Sequence, residues 1–455
     1  MAKLSSSSLA FTVQRREPEL VCPAEPTPRE HKLLSDIDDQ ETLRFQIPFI
    51  QFYHRNPSMQ GKDPVKVIRE ALAKALVFYY PYAGRLWEGH NGKLMVDCTG
   101  EGILFIEADA DVTLDEIGSD ALQPPFPCFD ELLYDVPDSD GMQNRPLMLI
   151  QITRLKCGGF IFALRLNHVI SDGTGIAQFM SAVAELARGC ATPTTPPVWE
   201  RHLLNANDPP RVTCKHNEYD EVEEVVNLSD NMVERSFFFG GNEISSLYKL
   251  LPLHLHRCSR FELLTASLWR CRTLALNLNP NEEVRMMCCA NVRSKFNPPL
   301  PSGYYGNAFV FPAAKTTAGQ LCGNPLEYAV ELVKEAKASV TEEYVKSVAS
   351  LMVINGKKRV KFPMRGSYLI SDLKHMGYRD VDFGWGKAEF GGLAKAIGPI
   401  SFIISAKDKK GQVGAVVPVC LPAPAMERFA KELDKMLIHP TYEISKPNFI
   451  NIASA

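Results

Sequence analysis

The stretch that most constrains this chain is residues 158–189, GGFIFALRLNHVISDGTGIAQFMSAVAELARG. Phe160, Phe162, Leu164 and Leu166 alternate, which places them on one face of a strand. His168 shares their parity. Gly173 and Gly175 then break the alternation, and Ile176, Phe179, Met180, Val183 and Leu186 recur at steps of three and four, the spacing of one helix face. Arg188 in the last turn and Gly189 after it are a helix stop. The pattern therefore delivers a histidine to a strand end, beside a glycine turn, at the mouth of a helix. Such a histidine can act chemically or serve as a hydrogen-bonded structural residue.

At 455 residues the chain exceeds one ordinary core, and two domains of about 200 residues are expected. Hydrophobic residues at 45% and charged residues at 23% are those of a soluble globular protein. A net charge of −3 builds no field that would favour nucleic acid or an anionic membrane. No run approaches the roughly 20 apolar residues that span a bilayer. The opening MAKLSSSSLAF has one early charge, Lys3, and no apolar leader core, and the chain ends Ala453-Ser454-Ala455 rather than in a Ser-Lys-Leu address. A cytoplasmic protein is the expectation. The twelve cysteines lack C-x-x-C spacing and are expected as free thiols. His254 and His256 could share one side of a strand, but no third ligand lies nearby, so no metal is expected.

Along the chain, Asp63 can cap a helix with Pro64 first and Val65, Ile68, Leu72 and Leu76 as its buried stripe. Residues 93–98 and 102–107 read as strands, 111–140 as proline- and acid-rich surface, and Met148–Leu155 with Phe160–Asn167 as a hairpin. Residues 190–230, with five prolines before the acidic run Glu218–Glu224, have the composition of a solvated linker. The second half offers strands at 233–239, 284–292, 399–406 and 412–420, and helices at 242–251, 261–276, within 326–356 and at 423–437. The fold class is α/β, with mixed sheets covered by helices. The expected divisions are 1–205, a crossover linker at 206–230, and 231–455.

No nucleophile elbow, P-loop or H-E-x-x-H motif occurs. Gly173-Thr174-Gly175 lacks the third glycine of a dinucleotide fingerprint. His168 and Asp172 need not touch across a turn, and the aspartate could instead pair with a distant arginine. A lone histidine can still take a proton from a hydroxyl. That suffices when the second reactant is already activated, as a thioester is.

His168-Val169-Ile170-Ser171-Asp172-Gly173 resembles the HxxxD motif of the plant BAHD acyltransferases, which use acyl-CoA donors. Asp382-Phe383-Gly384-Trp385-Gly386, about 210 residues further on, resembles their DFGWG signature. Further similar segments are Pro81–Leu86, Phe261-Glu262 with Trp269-Arg270, and Pro299–Asn307. Leu34–Gln40 and Pro197–Arg201 are similar to the alcohol acyltransferase and benzyl alcohol benzoyltransferase branch.

The resemblance implies two chloramphenicol-acetyltransferase-like domains with a channel between them, and a segment at about 378–403 crossing back to the first. His168 would be the general base, and Asp172 a structural residue paired with Arg293. Gly173, Asp382, Gly384, Trp385 and Gly386 would be structural, with Asp382 and Trp385 shaping the CoA side rather than doing chemistry. Ser259, Arg260, Arg293, Asn307 and Ser371 would line the CoA side. Acyl-CoA, as benzoyl-CoA or acetyl-CoA, would be a co-substrate rather than a resident cofactor. The acceptor would be a small alcohol and the protein a monomer. Many relatives carry Ser/Thr-Ser-Trp eleven residues before DFGWG; here Ser371-Asp372-Leu373 stands there, without the indole donor. No arginine for an acidic acceptor has an evident match, as Lys374 and His375 occupy that neighbourhood, so a neutral acceptor is expected.

Overall fold

The computed structural model describes residues 9–89, 92–118, 122–136, 144–219, 231–356, 366–408 and 410–438. A first, seven-stranded mixed sheet is ordered Val13–Arg15, Ile103–Ala110, Met148–Leu155, Phe160–Asn167, Gln46–Tyr53, Phe390–Leu393, with Glu19–Val21 also on Ile103–Ala110. A second, six-stranded mixed sheet runs Met232–Phe239, Val413–Pro422, Ile400–Lys407, Ser367–Asp372, Glu283–Cys288, Ala313–Thr317. Helices cover both, giving the two-domain α/β architecture that the strand and helix inventory requires.

All eight residues of Phe160–Asn167 are buried, because strands flank it on both edges and both its faces are covered. Apolar alternation thus found the strand while Ile161 and Ala163, on the opposite face, are as buried as Phe160. The helix Pro64–Phe78 begins as its sequence dictates: the Asp63 carboxylate accepts from Val65 N–H, Pro64 occupies the first turn, and Val65, Ile68, Leu72 and Leu76 are buried.

Phe390–Leu393 joins the first sheet although the chain on either side belongs to the second half. It pairs antiparallel with the Gln46–Tyr53 strand, Phe390 opposite Phe52 and Leu393 opposite Phe49. Tyr378, Phe383, Trp385 and Leu393 share the first core, whereas Ile400–Lys407 is back in the second sheet.

Three local expectations are corrected. The stretch 190–230 is not solvated throughout, although residues 207–213 are mostly exposed. Arg201, Leu204, Glu218 and Tyr219 are buried, the last two because the Tyr344 hydroxyl donates to Glu218 and Tyr219 donates to Gln40. The rest of the acidic run, 220–224, lies outside the described residues. Within 111–140, Leu114, Ile117, Phe126, Leu132 and Leu133 are buried, so this stretch contributes to the core as well as to the surface. His254 sits in the helical turn Leu253–Leu255 with His256 just after it, not on a strand.

All twelve cysteines are free. Among the described residues, no helix is long and apolar enough to cross a membrane.

Candidate active site

The Phe160–Asn167 strand ends one residue before His168, whose backbone N–H donates to Phe45 C=O at 2.8 Å and extends the pairing by one rung. A turn follows, and Asp172 caps the Gly173–Ala187 helix by accepting from Gly175 N–H at 2.9 Å. The strand end and the helix start thus fix the histidine from both sides. Gly175 is required there: a Cβ at this position would collide with the Tyr305 carbonyl and the Ser171 hydroxyl.

The protonation pattern of His168 follows from its neighbours. The Asn307 side-chain N–H₂ donates to Asp38 Oδ1 and to the His168 carbonyl, both at 2.8 Å. Both partners are obligate acceptors, so the amide orientation is determined and its Oδ1 faces His168 Nδ1 at 3.1 Å. Nδ1 therefore carries the hydrogen, and Nε2 holds the free lone pair. Nε2 has no hydrogen-bond partner among the described residues. Burial holds the imidazole pKa below its ordinary value, with Asp172, Asn307 and Asp38 opposing that shift. Phe45 and Phe309 flank the ring with centroids at 5.3 and 5.9 Å.

Asp172 does not orient the histidine. Its carboxylate takes both arms of the Arg293 guanidinium, at 2.7 and 2.9 Å, and the Ala308 N–H. Arg293 donates also to the carbonyls of Tyr304 and Gly306. This fork ties the HxxxD turn to the second half of the chain.

His168 lines a cavity of about 540 Å³ between the two sheets. Ile47, Phe49 and Leu393 come from the first sheet, Met287, Leu369 and Phe402 from the second. Its charged lining residues besides the histidine are Glu41, Asp172 and Asp372, with no lysine or arginine among them. Cys289 is on the wall, but burial pushes its thiol up to about 12, against the Ser371 hydroxyl, so it is no thiolate at neutral pH.

Of the five residues expected on the CoA side, Ser371 lines this cavity. Asn307 is fully buried behind His168, and Arg293 is engaged by Asp172. Ser259 caps the Arg260–Leu276 helix through Glu262 N–H, and both Ser259 and Arg260 are exposed away from the cavity wall. Leu373, which stands where an indole was sought, lines the cavity beside Gly173.

Asp382 Oδ1 accepts from Gly384 N–H and Gly386 N–H, both at 2.7 Å, folding the loop onto itself. Those glycines sit at φ +109° and +90°, where a Cβ is strained. Phe383 stacks on Phe162, Trp385 meets Phe160 edge-on at 5.3 Å, and Asn56 donates to Gly384 C=O. None of the five DFGWG residues lines the cavity.

Sequence reasoning missed Asp38 and Arg201 as site residues. Asp38 is fully buried and accepts from Ser35, Arg201 and Asn307. Both lie in segments that resemble the alcohol acyltransferase branch, Leu34–Gln40 and Pro197–Arg201, but nothing in the sequence assigned either a role at the site.

The family model described as Transferase family matches residues 11–436. The chain belongs to this family, the BAHD acyltransferases. It is 62% identical to the benzyl alcohol O-benzoyltransferase of Petunia hybrida over 445 residues, 96% of each chain. It is 63% identical to that of Nicotiana tabacum over 446 residues, again 96% of each. Among solved structures, vinorine synthase superposes with a TM-score of 0.72 at 21% identity, covering 93% of this chain and 98% of the other. That likeness shows a shared fold.

Proposed function

We propose that this BAHD acyltransferase forms esters from an acyl-CoA and a small neutral alcohol, with benzoyl-CoA and benzyl alcohol as the preferred pair. The observation that carries the proposal is His168, its Nδ1–H committed to Asn307 and its Nε2 free, on the wall of an apolar cavity. Identity above 60% with two benzyl alcohol O-benzoyltransferases supports the substrate pair.

In the proposed reaction Nε2 removes the hydroxyl proton as the alcohol oxygen attacks the thioester carbonyl. The C–O bond forms and the carbonyl electrons move to an oxyanion. The intermediate collapses, the C–S bond breaks, and the imidazolium proton goes to the departing CoA sulfur. No acyl-enzyme is needed, and the wall residue Cys289 is too weakly acidic to form one readily. Ser371, on the same wall, would supply a hydroxyl donor to the oxyanion or to the acyl-CoA, which Leu373 cannot.

Phe45, Phe49, Phe309, Phe311 and Phe402 offer aromatic faces to an aromatic acyl or alcohol group. A carboxylate on the acceptor would find no lysine or arginine on the wall and three acidic side chains instead. CoA comes and goes as a co-substrate, and the chain acts as a cytoplasmic monomer without a metal.

The test offers purified protein benzoyl-CoA or acetyl-CoA against benzyl alcohol and hexanol, reading ester by mass. Benzyl benzoate as the best product supports the pair. Hexyl or benzyl acetate as the best product would move the donor to acetyl-CoA, and no ester from any pair would overturn ester synthesis from these substrates.

A further inference from the structure

Arg201 lies in a segment whose composition reads as linker, yet it is 2% exposed and reaches the back of the histidine site. Its Nη1 donates to both Asp38 oxygens at 2.8 Å, and its Nη2 donates at 2.8 Å to the carbonyl of Ile170, inside the HxxxD turn. The Trp199 ring covers the guanidinium at 4.2 Å, and Tyr305 lies 5.2 Å away. Gly306, directly before Asn307, has no room for a Cβ because that atom would strike the guanidinium. One side chain therefore touches the loop carrying Asp38, the turn carrying His168 and the segment carrying Asn307.

This arrangement does more than fill space. Asp38 holds both the backbone N–H and the side-chain N–H₂ of Asn307, at 2.9 and 2.8 Å, and so sets the amide that accepts from His168 Nδ1. A fully buried carboxylate without a counter-charge would favour protonation of groups around it, the imidazole included. We propose that Arg201 is a positioning residue for proton transfer. Through Asp38 it fixes the Asn307 amide that holds His168 as the Nδ1–H tautomer, and its charge prevents Asp38 from converting the base into imidazolium. A lysine cannot reproduce the fork, because it lacks the rigid pair of donors that serves Asp38 and Ile170 together.

Among the described residues, the other charged or titratable side chains on the cavity wall are paired or held neutral. Asp172 is paired with Arg293 and Asp372 with Lys374, Glu41 lies 3.6 Å from Arg44, and Cys289 is held as the thiol. Among the described residues, the Asp38–Arg201 pair is the one that connects to His168 Nδ1 through a single intervening side chain.

The inference rests on His168 being the base, and the wild-type profile separates the two ideas. Wild-type protein lacking any acid limb in kcat/KM would remove the base reading itself. Given that limb, Arg201→Gln, Arg201→Lys and the double variant Asp38→Asn with Arg201→Gln are compared, with activity normalised to folded protein by circular dichroism. Arg201→Gln is expected to lower kcat about tenfold or more with KM for acyl-CoA within about twofold, the split of a transition-state defect. Its acid limb is expected at higher pH, because the unpaired Asp38 carboxylate favours imidazolium. The double variant, which removes both charges, should bring the limb back toward wild type. Arg201→Lys should keep the wild-type limb but lose part of kcat, and it serves alone if the glutamine variant does not fold. Full kcat per folded molecule in Arg201→Lys, or limbs that coincide in the glutamine and double variants, would overturn the proposal.

Discussion

His168 Nδ1 faces the Asn307 amide oxygen at 3.1 Å, and that one contact decides which ring nitrogen can accept a proton. Nε2 is left as the basic atom, in a ring whose pKa burial lowers from the ordinary histidine value. The Asn307 amide is itself oriented by Asp38 and by the His168 carbonyl. The tautomer of the proposed base is thus set by acceptors, not by the Asp172 carboxylate four residues away.

The direction of the His168 shift predicts the pH profile. Because the folded pKa lies below the ordinary histidine value of 6.5, the base stays unprotonated below that pH and activity should persist there. The acid limb of kcat/KM should therefore have its midpoint below 6.5. The same shift makes the folded state prefer the neutral ring, so this residue's contribution to stability is present above 6.5 and lost as pH falls through the window beneath it. A midpoint above 6.5 would contradict the burial argument.

Asp172→Ala should damage the fold before the chemistry. It strips both carboxylate contacts from Arg293, the Ala308 N–H and the helix cap at Gly175. Breaking a largely buried pair from one side costs roughly 3 kcal/mol. A lowered Tm is expected, with activity per folded molecule falling less than in a His168 variant. An unchanged Tm would show that the fork does not hold the turn.

Glu234 offers a stability switch of opposite sign to that of a paired carboxylate. Burial pushes its carboxyl up to about 7 from 4.5, opposed by the Ala396 N–H it accepts at 2.9 Å and by Lys395. Between those values the folded state retains a proton that the unfolded chain has lost, so the native state loses stability as pH rises through the window. Glu234→Gln keeps an acceptor for Ala396 and cannot ionise. Its Tm relative to wild type should be more favourable at pH 8 than at pH 4, and an equal difference at both would contradict the assignment.

Gly175→Ala should be strongly disruptive, whereas Gly241→Ala should be tolerated. The first Cβ meets the Tyr305 backbone carbonyl in a helix start that cannot retreat, and the second meets nothing within 4 Å. Overpacking of this kind costs about 1–3 kcal/mol, whereas alanine in a helix gains up to about 1 kcal/mol over glycine. Thermal unfolding of the two variants separates these outcomes.

Local periodicity made much of this legible. The alternation from Phe160, the glycine turn and the 3-and-4 spacing from Ile176 located the histidine junction within a residue, because those signals are written in adjacent positions. Asp63 and Pro64 marked their helix for the same reason. The Asp38–Arg201 contact was illegible because its partners are 163 residues apart and each sits in a polar or proline-rich stretch. Composition reports mean solvation, and it cannot distinguish a solvated linker from one whose few charged groups find buried partners. Asn307 was visible only by resemblance, and its place behind the imidazole, rather than on the cavity wall, depends on three segments meeting in space.

The central claim is that His168 Nε2 accepts the alcohol proton, and it is tested most directly by steady-state ester formation in wild type and His168→Ala. CoA binding and thermal unfolding are measured on the same samples. The account predicts ester formation reduced by at least about a hundredfold, with CoA affinity and Tm retained. Turnover equal to wild type in a folded, CoA-binding His168→Ala protein would contradict it and take the histidine out of the reaction.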